Sequence, residues 1–322
     1  MHFGPSAHAN HHHHLLVALL RLFYALVPIA VVLLWLVARK FTQYGKLLAP
    51  TKPSNSIKAS LVSHIAALTV PKKYFTHFYA LGSVWSLALL TAVMARSFPV
   101  DPSAFFGPDF DTSMTPEDET RYIDIEIALA FMCVQVLRRL YECLFVLKQS
   151  DAARMHAFHY VNGILFYTFT PVAVIVEGMD VLGKEANLDF GLYFRRQPQL
   201  HRMLALIVFI YASIEQHWAH GHLASLRNPS SNANDKQATY VLPTARFFYL
   251  VACPHFFFEV LIYSSFVILY RGANLTTWLI VVCVAVELGV AAHENRTWYF
   301  AKFGDKIGRR SKEWKRIVPY LF

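Results

Sequence analysis

Charge is scarce in this chain, and acidic charge most of all. Asp, Glu, Lys and Arg make up 16% of the 322 residues, where about 25% is usual for a soluble domain. The 21 acidic residues face 30 basic ones, a net charge of +9. Glycine is sparse, and no Gly-rich loop follows a strand pattern, which excludes a Rossmann or P-loop nucleotide site. No Cys-x-x-Cys pair occurs. Cys133, Cys143, Cys253 and Cys283 lack metal-ligand spacing and read as buried apolar thiols, so no metal is expected. No linker divides the chain, and no internal repeat is visible.

What fills the space is apolar. Hydrophobic residues reach 55% and mean hydropathy is +0.35, too high for a soluble domain of this length. Leu15 to Val37 is long enough to cross a bilayer, which takes about 20 residues. Further apolar stretches run over Phe78 to Ala95, Ile123 to Val146, Phe158 to Val176, Met203 to Ala224, Phe247 to Leu269 and Thr276 to Ala292. The expectation is an all-α, polytopic membrane bundle of about seven spans, one domain over 1–322, enclosing a cavity. The first span reads as a signal anchor, because it is too long for a signal-peptide core and lacks a convincing cleavage site. His8 and the run His11 to His14 precede it as a flexible tail, 1–14.

Basic residues orient the bundle. Arg39, Lys40, Lys46 and Lys52 follow the first span, and Arg296, Lys302, Arg309 and Lys315 follow the last. The loop from Ser97 to Tyr122 is acidic. The N-terminus is therefore expected to be lumenal and the C-terminus cytosolic, with 293–322 as a cytosolic cover. Charge that borders a membrane argues against a nucleic-acid partner. Asn274 begins a sequon but is expected to cap a helix.

Ionisable groups inside such spans are costly and point to function. Arg138 and Arg139 stand four and three residues before Glu142, within ion-pair reach on a helix. Two adjacent arginines point to different faces, so one carboxylate is not expected to neutralise both, leaving a guanidinium for a phosphate. Gln216, His220 and Arg227 form a second polar stripe. His255, Glu259 and Tyr263 form a third, with Pro254 expected to kink its helix. Asn295, Tyr299 and Lys302 share a fourth. Each stripe has a bland reading, as an interfacial pair or a polar seam between helices. Four of them point instead to one site for an anionic ligand.

With these residues in view, the chain resembles the steroid 5-alpha-reductase family, and within it the polyprenol (polyprenal) reductase branch. The resemblance lies in Tyr44-Gly-Lys46, Val70 to Tyr79, Leu137-Arg-Arg-Leu-Tyr-Glu-Cys143, Gln216 to Arg227, Cys253 to Glu259, and Trp298-Tyr299 through Pro319-Tyr-Leu-Phe322. It implies an endoplasmic reticulum enzyme that uses NADPH to saturate a double bond conjugated to a carbonyl, on a long-chain polyprenoid drawn from membrane lipid, in dolichol synthesis. No obligatory protein partner is implied. Glu259 and His255 match the family's cofactor-contacting pair. Gln216, His220, Arg227 and Tyr299 fall at cofactor positions, and Arg139, Arg246, Asn295 and Lys302 are added as cofactor contacts. Arg296 departs from the pattern, standing where a histidine is expected three residues before Tyr299. The steroid enzymes' catalytic Gln-Glu pair and tyrosine find no counterpart.

Hydride adds to an electrophilic carbon, which an enal offers and an isolated allylic alcohol does not. The enolate that develops needs a donor. His77 and Tyr79 are the candidates, with Tyr141 or Glu142 behind them; aromatic-belt anchoring is the alternative for the first two. Three rival functions remain open: a 3-oxo-5-alpha-steroid 4-dehydrogenase, a membrane methyltransferase, and a non-enzymatic seven-span receptor or transporter.

Overall fold

The computed structural model describes residues 10–37, 39, 68–95, 111–148, 153–184, 199–227, 240–307 and 314–320. Among the described residues are seven long α-helices: α1 (Asn10–Val37), α2 (Phe75–Met94), α3 (Pro116–Tyr141), α4 (Ala157–Ala173), α5 (Leu200–Ser225), α6 (Pro254–Leu269) and α7 (Leu275–Ile307). A two-stranded antiparallel ribbon, β1 (Thr69–Pro71) with β2 (Arg154–His156), leads into α2 and α4. The chain is an all-α membrane protein. Among the described residues, three helices are long and apolar enough to cross a bilayer, or four if α4 and the bent 3-10 turn Val176–Gly183 form one span.

Local chemistry sets the helix ends. Thr115 and Asp118 form a reciprocal capping box at α3, with Pro116 at its first position and three acidic residues in its first turn. Arg138 and Arg139 sit in its last turn, so both ends complement the helix dipole. The Asn274 side chain accepts from the Thr277 N–H at 3.0 Å, capping α7 as the sequence suggests. Pro254 stands at the first position of α6 and kinks nothing. A proline there forfeits an N–H that would have had no partner, and its fixed φ suits the first turn. The expected span from Phe247 accordingly starts later, after a 3-10 turn at Arg246–Tyr249. The histidine run also differs from expectation. His11 to His14 belong to α1, and His13 Nε2 lies 2.7 Å from the Val176 carbonyl. Residues 1–9 lie outside the described set.

Packing closes a ring. α1 lies against α7, α7 against α6, α6 against α5, α5 against α3, α3 against α2, α2 against α4, and α4 returns to α1. The α2–α4 contact is close because residue 163 is glycine; a Cβ there would come within 2.6 Å of the Phe78 ring. The main apolar core runs through the ring. A second, smaller core joins Cys253, Tyr299 and Phe303 to Trp314 and Ile317 of the C-terminal segment.

That segment docks through backbone pairing. Lys315 bridges Val251 in parallel, and the Ala252 and Cys253 N–H groups donate to the Lys315 and Arg316 carbonyls at 2.9 and 3.1 Å. Trp314 is buried and donates to the Phe248 carbonyl at 2.8 Å. Tyr320 is 83% exposed and does not fold back onto the bundle; Leu321 and Phe322 lie outside the described residues. The indole reaches the bundle first, and its larger apolar area does the docking.

Candidate active site

Glu142, at the end of α3, is fully buried and has four partners. Its Oε1 accepts from Arg138 Nη1 and its Oε2 from Arg139 Nη1. From α5, His217 Nδ1 lies 2.9 Å from Oε1 and His220 Nδ1 2.8 Å from Oε2. Glu142 therefore meets both arginines, against the expectation that it could not. Spacings of three and four both bring an arginine to it, one to each oxygen. No guanidinium is left over for a phosphate on that ground.

A second carboxylate, Glu259 of α6, is held without a salt bridge among the described residues. Gln135 Nε2 of α3 donates to its Oε1 at 3.0 Å. Gln216 Nε2 of α5 donates to its Oε2 and, at 3.0 Å, to the His255 carbonyl. Both glutamine carbonyl oxygens accept from Arg138 Nη2. One chain of hydrogen bonds thus runs Glu142–Arg138–Gln216–Glu259 and ties three helices together. Arg138 Nε is buried without a hydrogen-bond partner among the described residues, so this network is not fully satisfied.

Arg139 turns toward α2. Its Nη2 donates to the Tyr79 hydroxyl oxygen at 3.1 Å, and its guanidinium carbon stands 5.0 Å from the Tyr79 ring centroid. As an acceptor from the arginine, the Tyr79 hydroxyl keeps its own O–H for donation.

These groups face a cavity with about 840 Å³ of space free of protein atoms, its mouth included. Every helix except α1 contributes. Tyr79, Arg139, Gln216, His220, His255 and Glu259 all line it, as the sequence reading brings together. Glu142 stands directly behind Arg139 and His220. The remaining predicted residues lie off the cavity. His77 is exposed, bonded to Tyr160 at 3.1 Å and stacked on Tyr74. Tyr141 packs on Phe145 and is half exposed. Arg227 donates to the Lys148 carbonyl. Arg246 pairs with Glu215 at 3.1 Å and covers the Trp218 ring. Asn295 donates to the Ala291 carbonyl of its own helix. Tyr299 is buried in the second core, and Lys302 is exposed.

Residues absent from the sequence reading complete the lining. Asn162 and Tyr167 come from α4, and Glu287 from α7. Glu287 could have been found by the rule that flagged Glu259, as an acid inside an apolar run. Tyr263, four residues beyond Glu259, also lines the cavity, and its buried hydroxyl has no hydrogen-bond partner among the described residues. The buried Arg139 Nε is likewise without one.

Comparison with known proteins agrees with this chemistry. The family described as 3-oxo-5-alpha-steroid 4-dehydrogenase matches residues 149–322. Polyprenal reductase of Saccharomyces cerevisiae is 32% identical over 266 residues, covering 83% of this chain and 81% of that protein. Polyprenal reductase 1 of Arabidopsis thaliana is 29% identical over 273 residues, covering 79% and 82%. Polyprenal reductase of Xenopus tropicalis is 29% identical over 257 residues, covering 79% and 80%. The chain is an oxidoreductase acting on a CH–CH group. It belongs to the steroid 5-alpha-reductase family.

Proposed function

We propose that the protein reduces the α-isoprene double bond of a polyprenal to give dolichal, using NADPH, at the endoplasmic reticulum membrane. The relatives named polyprenal reductase support the substrate. The observation that carries the reading is the convergence of Tyr79 with Arg139, and of Gln216 with Glu259, on one cavity.

NADPH, when bound, supplies the hydride. Gln216, His255 and Glu259 would hold its nicotinamide end, where amide and carboxylate groups can pair with a carboxamide. Arg227, Arg246, Asn295, Tyr299 and Lys302 lie off the cavity and are assigned to the remainder of the cofactor. Arg139 has a different task. Paired to Glu142 and donating to Tyr79, it polarises the Tyr79 O–H toward the aldehyde oxygen. Negative charge reaches that oxygen as the β carbon accepts hydride. A donor fixed beforehand in a dry cavity stabilises it without reorganisation. His77 and Tyr141, off the cavity, are assigned to the approach of the prenyl chain. Seven spans, with a lumenal N-terminus and a cytosolic C-terminus, complete the reading.

Glu259→Gln tests the cofactor assignment. The variant should accumulate normally and lose NADPH affinity at least tenfold in a binding titration. Unchanged affinity refutes the assignment.

A further inference from the structure

We propose that Glu287 of α7 is the acid that protonates the α carbon of the substrate, completing the reduction that hydride transfer begins. The proposal rests on the reading that this cavity is where the enal is reduced. Saturating a C=C bond consumes a hydride and a proton at different carbons. A donor at the aldehyde oxygen, the part given to Tyr79, does not place a proton on carbon, so a separate acid has to face the α carbon.

The acids that line or adjoin the cavity differ in what holds them. Glu142 is matched by two arginines and two histidines, the environment of an anion. Both oxygens of Glu259 accept from amides. Glu287 has neither arrangement. Its Oε1 accepts from Asn162 Nδ2 of α4 at 3.0 Å and takes a weak contact from the Cys283 thiol at 3.7 Å. Its Oε2 has no hydrogen-bond partner among the described residues, and the side chain lines the cavity. No cation among the described residues pairs with it. The groups that meet its carboxyl are the Asn162 amide from α4 and the Cys283 thiol from its own helix. A carboxylate in such a place is costly, whereas the neutral acid is not. With Oε1 fixed as an acceptor, the proton belongs on Oε2, the oxygen free of protein partners.

The step balances. Once the β carbon has received its hydride, the π pair of the C=C bond has moved toward the carbonyl, and the enolate oxygen rests on the Tyr79 hydroxyl. The enolate electron pair then takes the proton from Glu287 Oε2. A C–H bond forms at the α carbon, the C=O bond is restored, and Glu287 is left as a carboxylate held by Asn162. Water regains access on product release and returns the proton.

The test uses purified full-length protein, NADPH and a polyprenal in D2O, with the α carbon of the product analysed after trapping as the alcohol. Wild type should place deuterium on one face of that carbon. Glu287→Gln keeps the shape of the side chain without an acidic proton. It should bind NADPH within twofold of wild type, turn over about 100-fold more slowly, and scatter deuterium over both faces. Its cofactor-free infrared spectrum should lack one carboxylic-acid carbonyl band that wild type shows. Glu287→Asp should restore single-face labelling at a reduced rate. Turnover within threefold of wild type with single-face labelling in Glu287→Gln overturns the proposal, as does retention of the infrared band. An altered NADPH affinity also overturns it, by placing Glu287 against the cofactor. If Glu287→Gln cannot be purified, Glu287→Asp decides, and an unchanged rate there overturns the proposal. Failure of the wild type to reduce polyprenal at all would instead defeat the reading of the cavity.

Discussion

Arg139 Nη2 donates to the Tyr79 hydroxyl oxygen at 3.1 Å, joining α3 to α2 across the wall of the cavity. The same guanidinium is anchored from behind by Glu142. A tyrosine so placed can polarise a carbonyl, and its hydroxyl is not needed to hold the fold. Tyr79→Phe should therefore leave thermal stability and NADPH affinity near wild type while lowering kcat/KM by about 100- to 1,000-fold, the effect of losing one oxyanion donor. Steady-state rates beside a cofactor titration check it. A fall in affinity equal to the fall in rate would assign Tyr79 to the cofactor.

Glu142 holds the two arginines and two histidines that meet at the α3–α5 contact. Removing one partner of a buried ion cluster leaves charge uncompensated, at a cost of about 3–5 kcal/mol. Glu142→Gln should lower the midpoint of thermal unfolding sharply or prevent accumulation, and Glu142→Ala should do so more severely. A Glu142→Gln protein as stable as wild type would show that the cluster is not structural.

Trp314 and Tyr320 separate docking from mere proximity. The buried Trp314 braces residues 248–253, from which α6 and its His255 and Glu259 begin. Trp314→Ala should cost about 3–5 kcal/mol as a buried aromatic truncation and weaken NADPH binding. Tyr320→Ala, at an exposed position, should change neither. Melting curves and cofactor titrations of the two variants decide.

Asp118, at the start of α3, supplies an acid-dependent contribution. Burial pushes its carboxyl up, but the Lys184 ammonium at 2.7 Å and the Thr115 N–H and hydroxyl outweigh that and hold it at about 2. A depressed carboxyl stabilises the fold fully above its ordinary value of about 4. That contribution, on the order of 2 kcal/mol, is lost as pH falls from there toward 2. Asp118→Asn should remove it at neutral pH and flatten the stability profile between pH 4 and 2. A profile unchanged by the substitution contradicts the assignment.

Periodicity and polarity carried much of this arrangement. The helices of α2 to α5 follow the apolar runs, because a span must satisfy its own backbone hydrogen bonds. The polar stripes of α3, α5 and α6 do converge, since an ionisable group inside a span needs a partner. α7 meets the cavity away from its polar stripe, for a physical reason. Asn295, Tyr299 and Lys302 share a helical periodicity, but the C-terminal segment covers that part of the helix, and α7 meets the cavity earlier, at Glu287. Gln135 and Asn162 were illegible because a lone amide in an apolar helix gives no sign of what it faces. Glu142 was misjudged because spacing gives the reach of one pair and not the sharing of two oxygens between two arginines.

The reaction proposed for this cavity is reduction of a conjugated aldehyde of a polyprenoid. It is tested by following NADPH oxidation by the purified protein with polyprenal, polyprenol and a 3-oxo-4-ene steroid side by side. Rapid oxidation is expected with polyprenal, yielding dolichal, and none above background with the other two. Turnover of the steroid at a comparable rate, or of polyprenol without prior oxidation to the aldehyde, would contradict it.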